Sequence, residues 1–233
     1  MNVAIIAAAG RGSRFGGERA KQFVELCGVP VIVHTLRRFE SCPDIQQIVG
    51  VFPQGETASA LELAARYGLR KLTRVVLGGE TRLDSVRRGF AAIRETTAEI
   101  VAVHDGARPF VSPEEIGRTV RTAADYGAAI LTTPVTDTIK TVNDRTVLNT
   151  LDRANLRRAL TPQCFRYDLL RRGLAAAENQ ETAITDESML IEALGEPVQV
   201  VEGSPMNIKI THPDDIAWGE HLLRQMELND LII

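Results

Sequence analysis

Cysteine is scarce in this chain, with three residues in 233 (Cys27, Cys42 and Cys164) and no CxxC pair among them. That argues against a disulfide framework and a thiolate zinc site, and it fits a reducing cytoplasm. An excess of basic charge is missing as well. The net charge is -3, and no basic stripe is interleaved with aromatics, so the footprint of a nucleic-acid binder is absent. No apolar run is long enough to span a bilayer. The run "VAIIAAA" at residues 3–9 has no basic segment before it and is followed by Arg11 and Arg14, so it reads as a buried strand and not as a signal peptide or membrane span. Internal repeats and low-complexity linkers are also lacking. What remains is the composition of a soluble protein long enough to bury roughly 70% of its unfolded surface without a metal or disulfide. Local clusters of Arg and Lys then read as pockets for a small anion.

Short runs rich in Val and Ile, at residues 3–8, 45–52, 72–77, 100–104, 128–135 and 198–201, alternate with segments whose apolar residues recur at three and four spacing. Those helical segments are "PVIVHTLRRFE", "TASALELAARYG", "SVRRGFAAIRE", "PEEIGRTVRTAADYG" and "PDDIAWGEHLLRQM". The order predicts an α/β fold with a doubly wound, mostly parallel sheet, and the uninterrupted apolar strands predict helices on both faces. Pro30, Pro113 and Pro213 fall at first-turn positions, and Ser112 and Thr211 are expected as N-caps, with Glu115 and Asp214 three residues on. "ALTPQCF" at 159–165 reads as a turn built on Pro162, and "GGETRLDS" at 78–85 as a loop opening a helix. One segment departs from the pattern: residues 137–153 read as two polar, Thr-rich strands around a turn at Asn143 and Asp144. Such a hairpin cannot hold itself together, so it is expected to lie on something else.

Three places carry chemistry. Behind the first strand, "AAAGRGSRFGGERAKQF" contains neither GxxxxGK nor GxGxxG, since Phe15 stands where the third glycine would be. It offers instead Gly10 and Gly12, whose backbone N–H groups can approach phosphate oxygens, and Arg14 and Lys21, which can neutralise them. A triphosphate suits that charge, while a solvated glycine loop is the plainer alternative. In "VAVHDGARPF", Asp105 follows a buried strand, where one carboxylate suits Mg²⁺ bridging to phosphates or, equally, tightens a turn. His104 beside it is expected to be structural. In "NIKIT", Lys209 either projects outward or points into a pocket whose anion offsets its burial.

The series AAAGxGxR, GGxxRxxS, VHDxARP, PVxDTIK, DR, LTPQ, ITDE and NIK, in that order over essentially the whole chain, resembles the 2-C-methyl-D-erythritol 4-phosphate cytidylyltransferases of non-mevalonate isoprenoid biosynthesis. Gly106 is commonly alanine and Glu80 often aspartate in that family. The resemblance implies one Rossmann-like nucleotidyltransferase domain over residues 1–233, with a dimerisation arm at about 137–155. It implies transfer of CMP from CTP to the sugar phosphate, with Mg²⁺ held at Asp105, in a cytoplasmic homodimer that engages neither nucleic acid nor membrane. Arg14, Lys21 and Lys209 would surround the α-phosphate, with Ala8, Ala9, Gly10, Gly12, Gly79, Glu80 and Ser85 on the nucleotide. Arg108, Thr138, Thr161 and Thr185 would meet the sugar phosphate, with Arg153 reaching in from the second subunit. A cytidylyltransferase for another alditol phosphate, such as ribitol 5-phosphate, shares part of the pattern but differs around HDxxRP and DR. A non-catalytic nucleotide-binding regulator would not need Arg108, Thr138, Arg153 and Lys209 together.

Overall fold

The computed structural model describes residues 1–10, 21–93, 98–177 and 184–230. The chain opens with β1 (Asn2–Ala7), a short 3-10 turn at Lys21–Phe23, the small strands β2 (Glu25–Leu26) and β3 (Val29–Pro30), and α1 (Val31–Ser41). There follow β4 (Gln47–Phe52), α2 (Thr57–Tyr67), β5 (Leu72–Leu77), α3 (Arg82–Ala91), β6 (Ile100–Asp105), α4 (Pro113–Tyr126) and β7 (Ala128–Pro134). The rest is β8 (Lys140–Asn143), β9 (Thr146–Thr150), β10 (Arg157–Arg166), α5 (Tyr167–Ala176), α6 (Ser188–Glu192), β11 (Gln199–Glu202) and α7 (Asp215–Asp230).

Seven strands form one sheet in the order β11-β7-β10-β6-β1-β4-β5. β1 pairs in parallel with β4 on one side and with β6 on the other. The chain therefore winds outward from β1 to β5 and then crosses back to β6, and the crevice where it reverses, at the carboxyl ends of β1 and β6, is where open α/β sheets bind ligands. Alternate residues of each strand face opposite sides. Ala4 and Ile6 pack with Ile32 and Leu36 of α1 and Ile116 and Val120 of α4, whereas Val3 and Ile5 pack with Val86 and Phe90 of α3 and Leu170 of α5. Both faces are covered, as the strand composition requires. A third cluster, with Leu26, Phe110, Ile210, Leu222 and Leu223, seats α7 beside the residues that follow β6.

Two expectations are corrected. "ALTPQCF" is not a turn but the middle of β10, antiparallel between β6 and β7. Its register with β7 shifts between Ala159 and Gln163, so Pro162, which has no N–H to donate, falls where the ladder is already interrupted. Thr211 does not cap α7, which begins at Asp215. Instead the Asp215 carboxylate accepts the backbone N–H groups of Thr211 and His212 at 2.6 and 2.8 Å. Ser112 and Glu115 do form a reciprocal capping box on α4, and Thr81 and Asp84 form another on α3. Among the described residues, β8 and β9 pair only with each other, and Val142, Val147 and Leu148 project from them into solvent.

Candidate active site

Asp105 ends β6 and is buried, and three cations from three parts of the chain converge on its carboxylate. Arg82 Nε donates to Oδ1 at 3.2 Å, Arg108 Nε to Oδ2 at 3.1 Å and Lys209 Nζ to Oδ2 at 2.9 Å. Arg82 opens α3, Arg108 follows β6 by one tight turn, and Lys209 comes from the segment between β11 and α7. Burial alone would raise the Asp105 carboxyl, but Lys209, Arg82 and Arg108 together hold it well below the usual carboxylate range. The two readings left open for Lys209 are thereby resolved in its geometry: it turns inward, with Asp105 as its counter-charge.

The bulge in β10 supports this carboxylate from behind. Thr161 Oγ1 accepts the backbone N–H of Asp105 at 3.2 Å and lies 2.9 Å from His104 Nδ1, while His104 Nε2 lies 3.1 Å from the Arg108 carbonyl. A carbonyl can only accept, so Nε2 carries the proton and Nδ1 accepts from the Thr161 hydroxyl. Burial pushes the His104 pKa down to about 4. Buried, neutral and with both nitrogens engaged, His104 shapes the turn after β6. Asn207 closes the frame: its Nδ2 donates to the Thr161 carbonyl at 2.9 Å, and its own carbonyl accepts from Arg108 Nη1 at 3.0 Å.

The residues expected on the nucleotide lie along the neighbouring strand ends. Ala8 follows β1, with its N–H donating to the Val51 carbonyl at 2.8 Å and its carbonyl accepting from Gln22 Nε2 at 2.6 Å. The 78–81 loop comes up against it, because a Cβ placed on Gly78 would stand 2.1 Å from Ala9 Cβ. Only glycine permits that approach. Ser85 Oγ accepts the N–H of Gly79 at 3.1 Å and donates to the Thr81 carbonyl at 3.0 Å, which fixes the loop. Glu80 is exposed on it. Gly10 has open space around it, whereas Gly12, Arg14 and the Lys21 side chain lie outside the described residues.

Arg108 and Thr161 are thus brought together at Asp105, but Thr138, Arg153 and Thr185 are not. Thr138 is exposed at the base of the arm, and Arg153 Nη1 donates to the Thr136 carbonyl at 2.6 Å there. Thr185 is exposed ahead of α6, its hydroxyl on Met189 Sδ at 3.1 Å. Sequence reasoning passed over Arg82, Gln163, Glu187 and the Asn207 amide. A signal existed for Arg82: a cation in the first turn of a helix sits at the positive end of the macrodipole, which asks for a tertiary reason.

Among the described residues, no three His, Cys, Asp or Glu side chains converge as a metal site. Mg²⁺ bound through substrate phosphates needs only one or two protein carboxylates, and Asp105 is a hard oxygen donor of that kind.

The sequence model of the 2-C-methyl-D-erythritol 4-phosphate cytidylyltransferases matches residues 2–225. Enzymes of that name from Pelotomaculum thermopropionicum and Carboxydothermus hydrogenoformans are 45% and 41% identical to this chain, over 95% and 98% of it and 93% and 97% of their own lengths. A solved structure of 4-diphosphocytidyl-2C-methyl-D-erythritol synthase from Anaerococcus prevotii superposes with a TM-score of 0.85 at 31% identity, covering 96% of each chain.

Proposed function

The chain belongs to the 2-C-methyl-D-erythritol 4-phosphate cytidylyltransferase family, and from that premise we propose how its residues divide the work. The reaction moves CMP from CTP to 2-C-methyl-D-erythritol 4-phosphate in the non-mevalonate isoprenoid pathway. An oxygen of the 4-phosphate bonds to the α-phosphorus, and the bond from that phosphorus to the β-phosphate oxygen breaks. Pyrophosphate leaves with the electron pair, and 4-diphosphocytidyl-2-C-methyl-D-erythritol remains. A phosphate monoester has its second pKa near about 6, so the nucleophile is already largely a dianion at neutral pH and no general base is needed. The obstacle is repulsion between two polyanions.

The observation that carries the assignment is the convergence of Arg108 and Lys209 on Asp105 at the crevice between β1 and β6. These cations are held in place before substrate arrives, so little reorganisation is required as charge develops. Lys209, with Arg14 and Lys21, stabilises the α-phosphate in the transition state. Ala8, Ala9, Gly10, Gly12 and the 78–85 loop, with Gly79, Glu80 and Ser85, hold the nucleotide. Arg108, Thr161 and Thr185 orient the sugar phosphate. Thr138 and Arg153 reach it from the arm of a second copy, whose apolar Val142, Val147 and Leu148 are free to pack on a partner. Asp105 would hold Mg²⁺, which would supply further neutralisation of the phosphates. The whole chain acts as one nucleotidyltransferase domain with its arm at about 137–155. Three free thiols support work in the cytoplasm.

The test is to incubate the protein with CTP, with and without Mg²⁺, and with each of several alditol phosphates in turn, while measuring pyrophosphate release. Release dependent on Mg²⁺ and on 2-C-methyl-D-erythritol 4-phosphate is expected. Release with ribitol 5-phosphate instead would reassign the acceptor.

A further inference from the structure

Three residues without a part in this mechanism, Arg82, Gln163 and Glu187, meet beside it. Arg82 Nη1 donates to Glu187 Oε1 at 2.5 Å while its Nε holds Asp105. Glu187 is 1% exposed, and its other oxygen has no partner among the described residues. Burial raises the Glu187 carboxyl against the pull of Arg82, and burial would lower Arg82 were it not for Glu187 and Asp105, which raise it. A half-satisfied buried carboxylate and a cation at a helix N-terminus each break a local rule, and they do so at one contact.

Glu187 is pinned from its other side. Its backbone N–H and that of Ser188 both donate to Gln163 Oε1, each at 3.0 Å. Gln163 Nε2 donates to Asp186 Oδ2 at 3.0 Å, and Asp186 Oδ1 accepts from Ser188 Oγ and the Met189 N–H at 2.9 and 3.2 Å. Gln163 stands on β10 just past the bulge that aims Thr161 at Asp105. The first turn of α3, the bulge and the segment bearing Thr185 are thus tied together around one carboxylate.

We propose that Arg82 and Glu187 are positioning residues: their ion pair fixes the Thr185 segment relative to Asp105 and the 78–81 loop, so that sugar phosphate and nucleotide are held at a set mutual distance. This rests on the reading that Thr185 meets the sugar phosphate. In-line attack is sensitive to such placement, where a misfit of about 1 Å can cost on the order of 100-fold.

Glu187→Gln keeps the shape and one acceptor oxygen but removes the charge facing Arg82. It should raise KM for the sugar phosphate and lower kcat, together roughly 10- to 100-fold in kcat/KM. The Kd for CTP alone should stay within about threefold, because the nucleotide loop keeps its own bonds. Arg82→Lys should change the same constants, since an ammonium cannot bridge two carboxylates as the guanidinium fork does. It also carries the test if Glu187→Gln does not fold. The double variant should lose no more than Arg82→Lys alone. Additive losses, CTP binding weakened as much as kcat/KM, or normal kinetics with only a lowered Tm would each overturn the proposal. Thr185→Ala separates the proposal from its premise. An unchanged sugar-phosphate KM there overturns the acceptor-side reading, whereas a raised KM beside normal Glu187→Gln kinetics overturns the positioning alone.

Discussion

His104 adjoins Asp105 but holds its proton count fixed through the neutral range, and this has a consequence for stability. Its folded-state pKa is about 4, below the unfolded value of roughly 6.5, so on acidification the unfolded chain takes up a proton first. Its contribution is complete above about pH 6.5 and is lost as pH falls toward 4, amounting to about 3 kcal/mol across that window. Asp105 behaves differently: its depressed pKa keeps its contribution down to the ordinary carboxylate range and loses it only below. Urea unfolding of wild type and His104→Gln at pH 7, 5.5 and 4 should show a shallower pH slope in the variant, and equal slopes would contradict this. At this scale Asp105 stood out as a charge at a strand end and Lys209 as a charge among apolar neighbours, whereas Arg108 entered only through the family resemblance. Arg82 and Glu187 were not legible, because their contact joins residues 105 apart in sequence, and no local pattern encodes that pairing.

The start of α4 was read because side chains themselves make its cap, while the equivalent Thr81–Asp84 box that starts α3 was passed over. Ser112 Oγ accepts the Glu115 N–H at 3.1 Å, and Glu115 Oε2 accepts the Ser112 N–H at 2.7 Å. Ser112→Ala should cost about 1 kcal/mol, a fall of roughly 2–4 °C in Tm for a chain of this size. Glu115→Ala should cost more, because Glu115 Oε1 also accepts the Ser204 N–H at 2.6 Å. Calorimetry on the two variants checks the order, and a smaller loss in Glu115→Ala would be wrong for this geometry. β10 was misread for the opposite reason. Proline in a polar setting signals a turn, and only the partners on both sides, β6 and β7, turn Thr161–Pro162 into a bulge within a strand. The same bulge delivers Thr161 to Asp105, so the element that sequence handled worst is one that builds the site.

For the molecule as a whole, the alternation of strands and helices was enough to give a doubly wound, mostly parallel sheet with Asp105 at its carboxyl edge, whereas the crevice between β1 and β6 follows from the strand order, which pairs residues about 100 apart in sequence. The arm was legible from what it lacked, a core of its own, and its exposed Val142, Val147 and Leu148 keep that property in the folded chain. Arg153 remains on its own arm, bonded to Thr136, away from Asp105. A complete site on this reading needs Lys209 of one chain and Arg153 of another. The most direct measurement is to co-refold equal amounts of Lys209→Ala and Arg153→Ala, each nearly inactive alone, and assay pyrophosphate release. In a mixed dimer one site carries both lesions and the other carries none, and random pairing makes about half the dimers mixed, so roughly a quarter of wild-type activity should return. No recovery in verified mixed dimers of two folded variants would contradict a site shared between subunits.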